Sequence, residues 1–335
     1  MTAAPLPLRA ALSRGALVAV ANWPLVLVEF AIESLYKLAL TVPVVGGALM
    51  VAALVGTDLQ SILSGGAQSA TDLVIGALAT APAALTSFLA ALGIVALGGE
   101  VLMFVVKAGT LAVIVAGERQ ADAWHRYSEE GGGFHRGSAW SLGAFYDGAR
   151  RFGARAARLA AWLGLAYFVI GLAYFVVVRF GFRFALGSAW EPTWPVVVVA
   201  ATSAGVVAIA VVNLTYDLLR VIVITDDCRI SVAFGRLRTF MLEDARQVIG
   251  IFSVMAGGVM VATAIALVAT AGLTLIAWVP FVGLLFVPLQ AAAWLVRGLL
   301  FQYLGLTTLA AYQTQYRRFS DSRWQSHESS RTRNA

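Results

Sequence analysis

An uncharged segment of 50 residues, from Gln247 to Val296, restricts the fold of this chain more than any other feature of its sequence. A helix needs about 20 predominantly apolar residues to cross the roughly 30 Å hydrocarbon core of a bilayer. The segment is therefore long enough for two membrane spans with a turn near residues 277–280. The rest of the chain agrees, because 60% of the 335 residues are hydrophobic and only 13% are charged. This composition excludes a soluble enzyme with a small membrane anchor.

The apolar runs, divided at polar residues and prolines, predict an all-α protein: a polytopic transmembrane helical bundle with six spans. The spans are predicted at residues 24–55, 81–117, 159–180, 194–225, 247–272 and 279–311. Together they make a single transmembrane domain over residues 1–316. The polar stretch 317–335 lacks periodicity, and we expect it to be a disordered cytoplasmic tail.

Basic residues are distributed unevenly between the two sides of the predicted bundle. Of the 24, 18 lie in the two termini and the two longer connections, whereas only Arg179 and Arg183 lie on the opposite side. The positive-inside rule therefore places both termini and both connections in the cytoplasm. Only two of the basic residues are lysines, and this bias is typical of GC-rich bacterial genes. We therefore expect a multi-pass protein of a bacterial inner membrane.

Two basic segments precede spans three and five, and they look alike when Ala144-Phe145 is aligned with Ala233-Phe234. In each, apolar residues recur at helical spacing and basic residues occupy the opposite arc, which predicts a basic amphipathic helix. Such a helix can lie in the headgroup layer with its arginines toward anionic lipid phosphates. Packing against the protein's own cytoplasmic ends is an equally good alternative. The predicted lipid-headgroup face of the first helix consists of Arg150, Arg151, Arg155 and Arg158.

A recurring order of elements carries a resemblance to a known family. A span ends in a short polar turn (VIVAGERQ, VIVITDDCR), and an SLGAF or SVAFG element, a basic amphipathic helix and the next span follow. This order, over about residues 100–310, resembles uncharacterised bacterial multi-pass proteins related to the membrane domain of glycerophosphoryl diester phosphodiesterases. The resemblance implies a helical membrane domain and no assigned activity, because the catalytic domain of those enzymes is a separate soluble unit.

Opposite charges in the first hairpin suggest a register for spans one and two. In an antiparallel pair of helices, residues at equal depth have numbers that add to a constant. Lys37 with Glu100, and Glu29 with Lys107, meet this condition within one residue, which predicts two interhelical ion pairs. The alternative is a pair within one helix, because Glu33 precedes Lys37 by four residues.

Other charges within the spans suggest a second function. Ionisable groups in a span are costly and often mark a transport pathway. The residues of this alternative polar path are Glu33, Asp217, Arg220 and Arg297. Their position in the cytoplasmic half of each apolar run argues against a transport function, since a substrate pathway needs charges near the midplane.

Catalytic and cofactor sites are not indicated by any residue pattern. His125 and His135, with Glu129 and Glu130, do not have the spacing of a metal site. We expect no catalytic, metal or cofactor residues and no nucleic-acid partner. The sequence thus favours a non-enzymatic membrane protein with a structural, lipid-associated or assembly-supporting role. Its expected partners are membrane lipids, chiefly those with anionic headgroups, and other membrane subunits are a second class. The alternative is a small-molecule or lipid transporter.

Overall fold

A computed structural model describes residues 7–55, 82–125, 140–188, 190–277 and 282–333 of the chain. The structure is 95% helical, and the described residues include no strand, which confirms the all-α prediction. Beside one short 3-10 helix, Glu191–Thr193, the α-helices in chain order are α1 (Leu8–Ala21), α2 (Trp23–Val55), α3 (Pro82–His125), α4 (Leu142–Ala185), α5 (Trp194–Thr225), α6 (Ile230–Ala277) and α7 (Val282–Arg333).

Four described helices, α3 to α6, are long and apolar enough to cross a membrane. A fifth span is obtained if α1 and α2, which meet in a bend at Asn22, are counted together as one broken span. In the most apolar stretches of α4 and α5 no residue is buried within the protein. Large apolar side chains that protein does not cover, such as Trp162, Phe168 and Val199, are what a lipid environment requires.

The two segments predicted to be amphipathic form the first parts of the helices that contain the next predicted spans. The first occupies the beginning of α4, where the Ser141 side chain accepts a hydrogen bond from the backbone N–H of Ala144 and caps the helix. The second occupies the beginning of α6, and the backbone leaves helical geometry at Asp244 before the apolar part begins. The last part of each of these two predicted connections and the span that follows it therefore form one long helix.

The end of the chain differs from the predicted disordered tail. Helix α7 does not stop at residue 316 but continues to Arg333. Phe319 is buried and its ring lies 5.1 Å from that of Phe240 on α6. An aromatic contact of this kind holds the first part of the tail against the protein, and polarity of the sequence alone does not reveal it.

The chain divides into two compact units, one of residues Val28–Phe104 and the other of Met1–Leu27 with Val105–Ala335. In the larger unit the second half of α7 is central, because it contacts α1, α5 and α6. Its residues 306–316 are almost all buried. A helix covered on all sides in this way organises the packing of its neighbours.

In the smaller unit, α2 and α3 run antiparallel and in close contact. The ring of Tyr36 lies against Gly99, and the ring of Phe88 lies against Gly47, where a side chain in place of either hydrogen would overlap the ring. The Tyr36 hydroxyl shares its single hydrogen between the carbonyl oxygen of Ala96, at 3.0 Å, and Glu100 Oε1, at 3.3 Å. These contacts agree within about two residues with the register expected from the sequence.

Candidate functional site

The turn between α5 and α6 concentrates charge at one end of the larger unit. Asp226 ends α5 and accepts hydrogen bonds from Arg236, on α6, and from the hydroxyl of Tyr316, on α7. Burial and the bond to Asp226 raise the pKa of Tyr316 above its ordinary value, so its hydroxyl stays a donor at neutral pH. One carboxylate thus joins three helices.

The next residue, Asp227, connects the same turn to α4. Its two carboxylate oxygens accept hydrogen bonds from Arg151 and Arg155. The backbone of Asp227 has a φ of +47°, in the left-handed region that aspartate tolerates better than most residues. Hydrogen bonds from Arg155 and Arg151 hold the pKa of Asp227 below its ordinary value. The carboxylate therefore remains charged, and paired, throughout the neutral range.

A buried carboxylate joins a second set of helices at this end. The side chain of Glu118, on α3, is 1% exposed, and its Oε1 lies 3.1 Å from Arg14 Nε on α1. The same oxygen accepts a 2.7 Å hydrogen bond from the hydroxyl of Thr314 on α7. A buried charge needs such partners, because desolvation without them would be prohibitive. Glu118 thus links α1, α3 and α7.

An open cleft of about 370 Å³ lies between the end of α3, the beginning of α4 and the end of α5. Apolar residues such as Val115 and Ile224 form part of its wall. Arg119 is fixed at the cleft by a 2.9 Å hydrogen bond to the carbonyl oxygen of Thr225. The charged residues that line the cleft are Arg119, Asp147, Arg151 and Asp227.

The four arginines predicted as a lipid-headgroup face divide into two pairs. Arg151 and Arg155 bind Asp227 and are therefore partly used within the protein. Arg150 and Arg158 are exposed. Phe152, Ala156 and Leu159 of the same helix are buried, whereas Leu142 and Tyr146 near its beginning are exposed.

The charges of the first hairpin take partners other than those expected. Lys37 Nζ lies 2.5 Å from Glu33 Oε1 within α2, the alternative pairing. Glu100 accepts from Tyr36 instead. The described conformation thus has no Lys37–Glu100 ion pair, because the tyrosine hydroxyl reaches the carboxylate and a glutamate one turn away on the same helix reaches the lysine.

The second pair proposed for this hairpin stays a prediction. Glu29 is buried, with 4% of its surface exposed, and belongs to the unit Val28–Phe104. Lys107 belongs to the other unit and is half-buried.

Of the residues in the alternative polar path, Asp217 and Arg220 come together. Arg220 Nη2 lies 3.1 Å from Asp217 Oδ1, and the arginine side chain is 6% exposed. Lys107 also acts electrostatically on this carboxylate. Arg297, by contrast, is exposed and lies over the ring of Phe301.

We call the end of the larger unit that contains Glu118, Asp226 and Asp227 with their partners the polar end. These three residues escaped the sequence-based prediction. Glu118, Asp226 and Asp227 were regarded only as parts of polar turns. The signal that could have identified them is their position: each directly follows a long apolar run, where a charge lies at the ends of several helices at once.

Metal-binding groups of three or more His, Cys, Asp or Glu side chains do not occur among the described residues. Glu129, Glu130 and His135 lie outside this part of the chain. Comparison with known proteins finds no matching family model, no similar curated protein and no similar solved structure.

Proposed function

We propose that the chain is a six-span protein of a bacterial inner membrane, with both termini and the polar end in the cytoplasm. Its six spans are the apolar parts of α2 to α7. The proposal is supported by the 18 basic residues that the sequence gathers on one side of these spans, against two on the other. Two segments of the polar end, VIVAGERQ within α3 and VIVITDDCR at the end of α5, belong to the same side.

Within this topology, the function that we favour is a non-enzymatic, lipid-associated one in which the polar end binds anionic headgroups. The observation that carries it is the exposure of Arg150 and Arg158 at the start of α4, on a helix that continues directly into a candidate span. Guanidinium groups at that level can form charge-assisted hydrogen bonds with lipid phosphates. Arg151 and Arg155 add positive charge to the same helix while they hold Asp227.

Removal of the two exposed arginines tests this function. Each basic residue near an anionic surface contributes about 1 kcal/mol, so Arg150→Gln with Arg158→Gln should weaken binding of phosphatidylglycerol by roughly 30-fold. Binding can be measured on the purified protein by titration with phosphatidylglycerol and native mass spectrometry. Phosphatidylcholine, which has no net charge, should bind equally to both proteins.

A matched control lies at the other end of the same helix. Arg179 and Arg183 are also exposed on α4, and Arg179→Gln with Arg183→Gln changes the net charge by the same amount. This variant should lose much less affinity for phosphatidylglycerol than the variant at Arg150 and Arg158. Equal losses in the two double variants would mean that net charge alone attracts the lipid, and would refute a headgroup site at the polar end.

Transport is the second candidate, and the pair of Asp217 with Arg220 favours it. The arginine is buried in a candidate span and Lys107 acts on the same carboxylate. Paired charges within a span are typical of substrate or proton pathways. A transporter should move a substrate or protons across proteoliposomes, and Asp217→Asn should abolish that flux while lipid binding at Arg150 and Arg158 persists.

A further inference from the structure

The cleft between α3, α4 and α5 contains one cation and one anion whose charges the described protein leaves uncompensated. Arg119 is exposed, and it donates a hydrogen bond to the carbonyl oxygen of Thr225, which carries no net charge. Asp147 is exposed on the facing helix and forms no ion pair with any described residue. The other two charges of the cleft, Arg151 and Asp227, form an ion pair, and Asp227 also binds Arg155, which does not line the cleft.

The charged groups of the cleft that have no ion pair determine which ligands fit it. Because Arg151 is already bound to Asp227, the two charged groups of the cleft that have no ion pair among the described residues are Arg119 and Asp147. A purely anionic headgroup could bind Arg119, but it would also face the carboxylate of Asp147, which is repulsive. A ligand that carries both a phosphate and an ammonium group would satisfy both residues.

We infer that this cleft binds the headgroup of a zwitterionic phospholipid with a primary ammonium group, such as phosphatidylethanolamine. The phosphate lies beside Arg119 and the ammonium group beside Asp147. Guanidinium is well suited to phosphate, and a primary ammonium group donates hydrogen bonds to a carboxylate. The inference rests on the proposed lipid-associated function and adds a specific ligand at a separate set of residues.

The apolar part of the wall favours a membrane lipid over a soluble zwitterion. Val115, Phe152 and Ile224 line the cleft beside the charges. Val115 and Ile224 also belong to α3 and α5, two candidate membrane spans. A headgroup in the cleft can therefore keep its glycerol backbone against apolar side chains while its acyl chains follow the spans into the hydrocarbon region.

The test compares lipid selectivity of the full-length protein and of two carboxylate variants. Asp147→Asn should lower the affinity for phosphatidylethanolamine by about threefold to fivefold, the range expected for loss of an exposed ion pair. The affinity for phosphatidylglycerol should stay equal or rise, because a repulsive charge is gone. Asp321→Asn, the same change at an exposed aspartate on α7, should leave both affinities unchanged. Native mass spectrometry with each lipid separately gives the affinities.

Two further variants define the phosphate end. Arg119→Gln should weaken both lipids at this site, whereas Arg119→Lys, which keeps the charge, should retain part of the binding. Melting temperatures of all variants show whether each is folded, and Asp147→Glu, which restores the carboxylate, should recover selectivity.

Specific outcomes would overturn the inference. Unchanged phosphatidylethanolamine affinity in Asp147→Asn would remove the ammonium site, even if Arg150 and Arg158 prove to bind anionic lipid. Soluble phosphoethanolamine that competes as strongly as the lipid would show that the ligand is a free zwitterion. The two proposals can also be separated. If the selectivity for phosphatidylethanolamine depends on Asp147 while the Arg150/Arg158 and Arg179/Arg183 double variants bind phosphatidylglycerol equally, the lipid site in the cleft is supported and the anionic headgroup face is refuted.

Discussion

Replacement of Gly15 by alanine should separate α1 from α7. A Cβ atom on Gly15 would lie 2.8 Å from the backbone nitrogen of Ala311 and 2.8 Å from the carbonyl oxygen of Thr307. Each distance is about 0.6 Å less than the 3.4 Å at which ordinary contact begins. Because both atoms are backbone, the overlap cannot be relieved by rotation of a side chain. The two helices must move apart, and a gap of this size loses a quarter to a half of the dispersion energy of each contact.

The expected cost can be worked out with a matched control. Overpacking of this kind costs about 1–3 kcal/mol, whereas glycine to alanine in a helix by itself gains about 1 kcal/mol. Gly305 lies on α7 with nothing near its missing side chain, so Gly305→Ala receives the gain without the overlap. The difference between Gly15→Ala and Gly305→Ala therefore isolates the strain, at about 1–3 kcal/mol.

Thermal unfolding in detergent measures this difference. A change of 1 kcal/mol shifts the melting temperature of a 150–250-residue domain by about 2–4 °C. Gly15→Ala should therefore melt at least about 2 °C below Gly305→Ala. Equal melting temperatures, or a higher one for Gly15→Ala, would refute the close approach of α1 and α7 at this residue.

Two further changes test the polar end. Glu118→Ala should destabilise the protein by about 3 kcal/mol in chemical unfolding, near the lower limit for a broken buried ion pair because Arg14 is 25% exposed. Glu118→Gln keeps an acceptor for Thr314 and should therefore cost less stability. An equal loss of stability in both variants would contradict the hydrogen bond from Thr314. The difference in free energy of unfolding between the wild type and Asp227→Asn should be constant from pH 7 to about pH 5 and should shrink as the pH falls below about 4. The reason is that a carboxyl group whose pKa is lower in the folded than in the unfolded protein gives its full stabilisation only at a pH above the unfolded pKa. A difference that grew on acidification would contradict the ion pairs of Asp227.

Helix limits could be predicted wherever the sequence contains a local signal. The fourth predicted span, 194–225, coincides with α5, Trp194–Thr225. Pro195 stands in the first turn of that helix, where its missing N–H is not needed, and two aspartates follow the last residue. The register of α2 on α3 was also close, because helix geometry and loop length determine it.

Packing between distant segments could not be predicted in the same way. Helix α1 lies outside the first predicted span, 24–55, yet Ala11 and Gly15 are buried and Gly15 packs on the backbone of α7. Gln313, on α7, reads as a surface residue but is 0% exposed. Its Oε1 accepts a 2.6 Å hydrogen bond from Thr225. Such burial depends on which helices surround a segment, and periodicity within the segment does not contain that information.

The ion-pair partners of charged side chains also could not be predicted from the sequence. Sequence numbers place Lys37 and Glu100 at nearly equal depth, but the Tyr36 hydroxyl and the Glu33 carboxylate compete for them. For Arg151 and Arg155, the sequence left lipid and the protein's own cytoplasmic ends as equal alternatives, and in the structure an aspartate 72 residues further along the chain than Arg155 binds both. Long flexible side chains have several partners in reach, and only the folded structure selects among them.

The orientation of α4 tests the central claim most directly, because a headgroup role for the polar end requires that end to face the cytoplasm. Leu142 and Phe184 are exposed near opposite ends of this helix, which is about 66 Å long at 1.5 Å per residue. Leu142→Cys and Phe184→Cys, each made with Cys228→Ser, can be treated with a membrane-impermeant thiol reagent in intact spheroplasts. A cytoplasmic polar end predicts that Phe184→Cys is labelled at once and that Leu142→Cys is labelled only after the membrane is permeabilised. Labelling of Leu142→Cys in intact spheroplasts would contradict it.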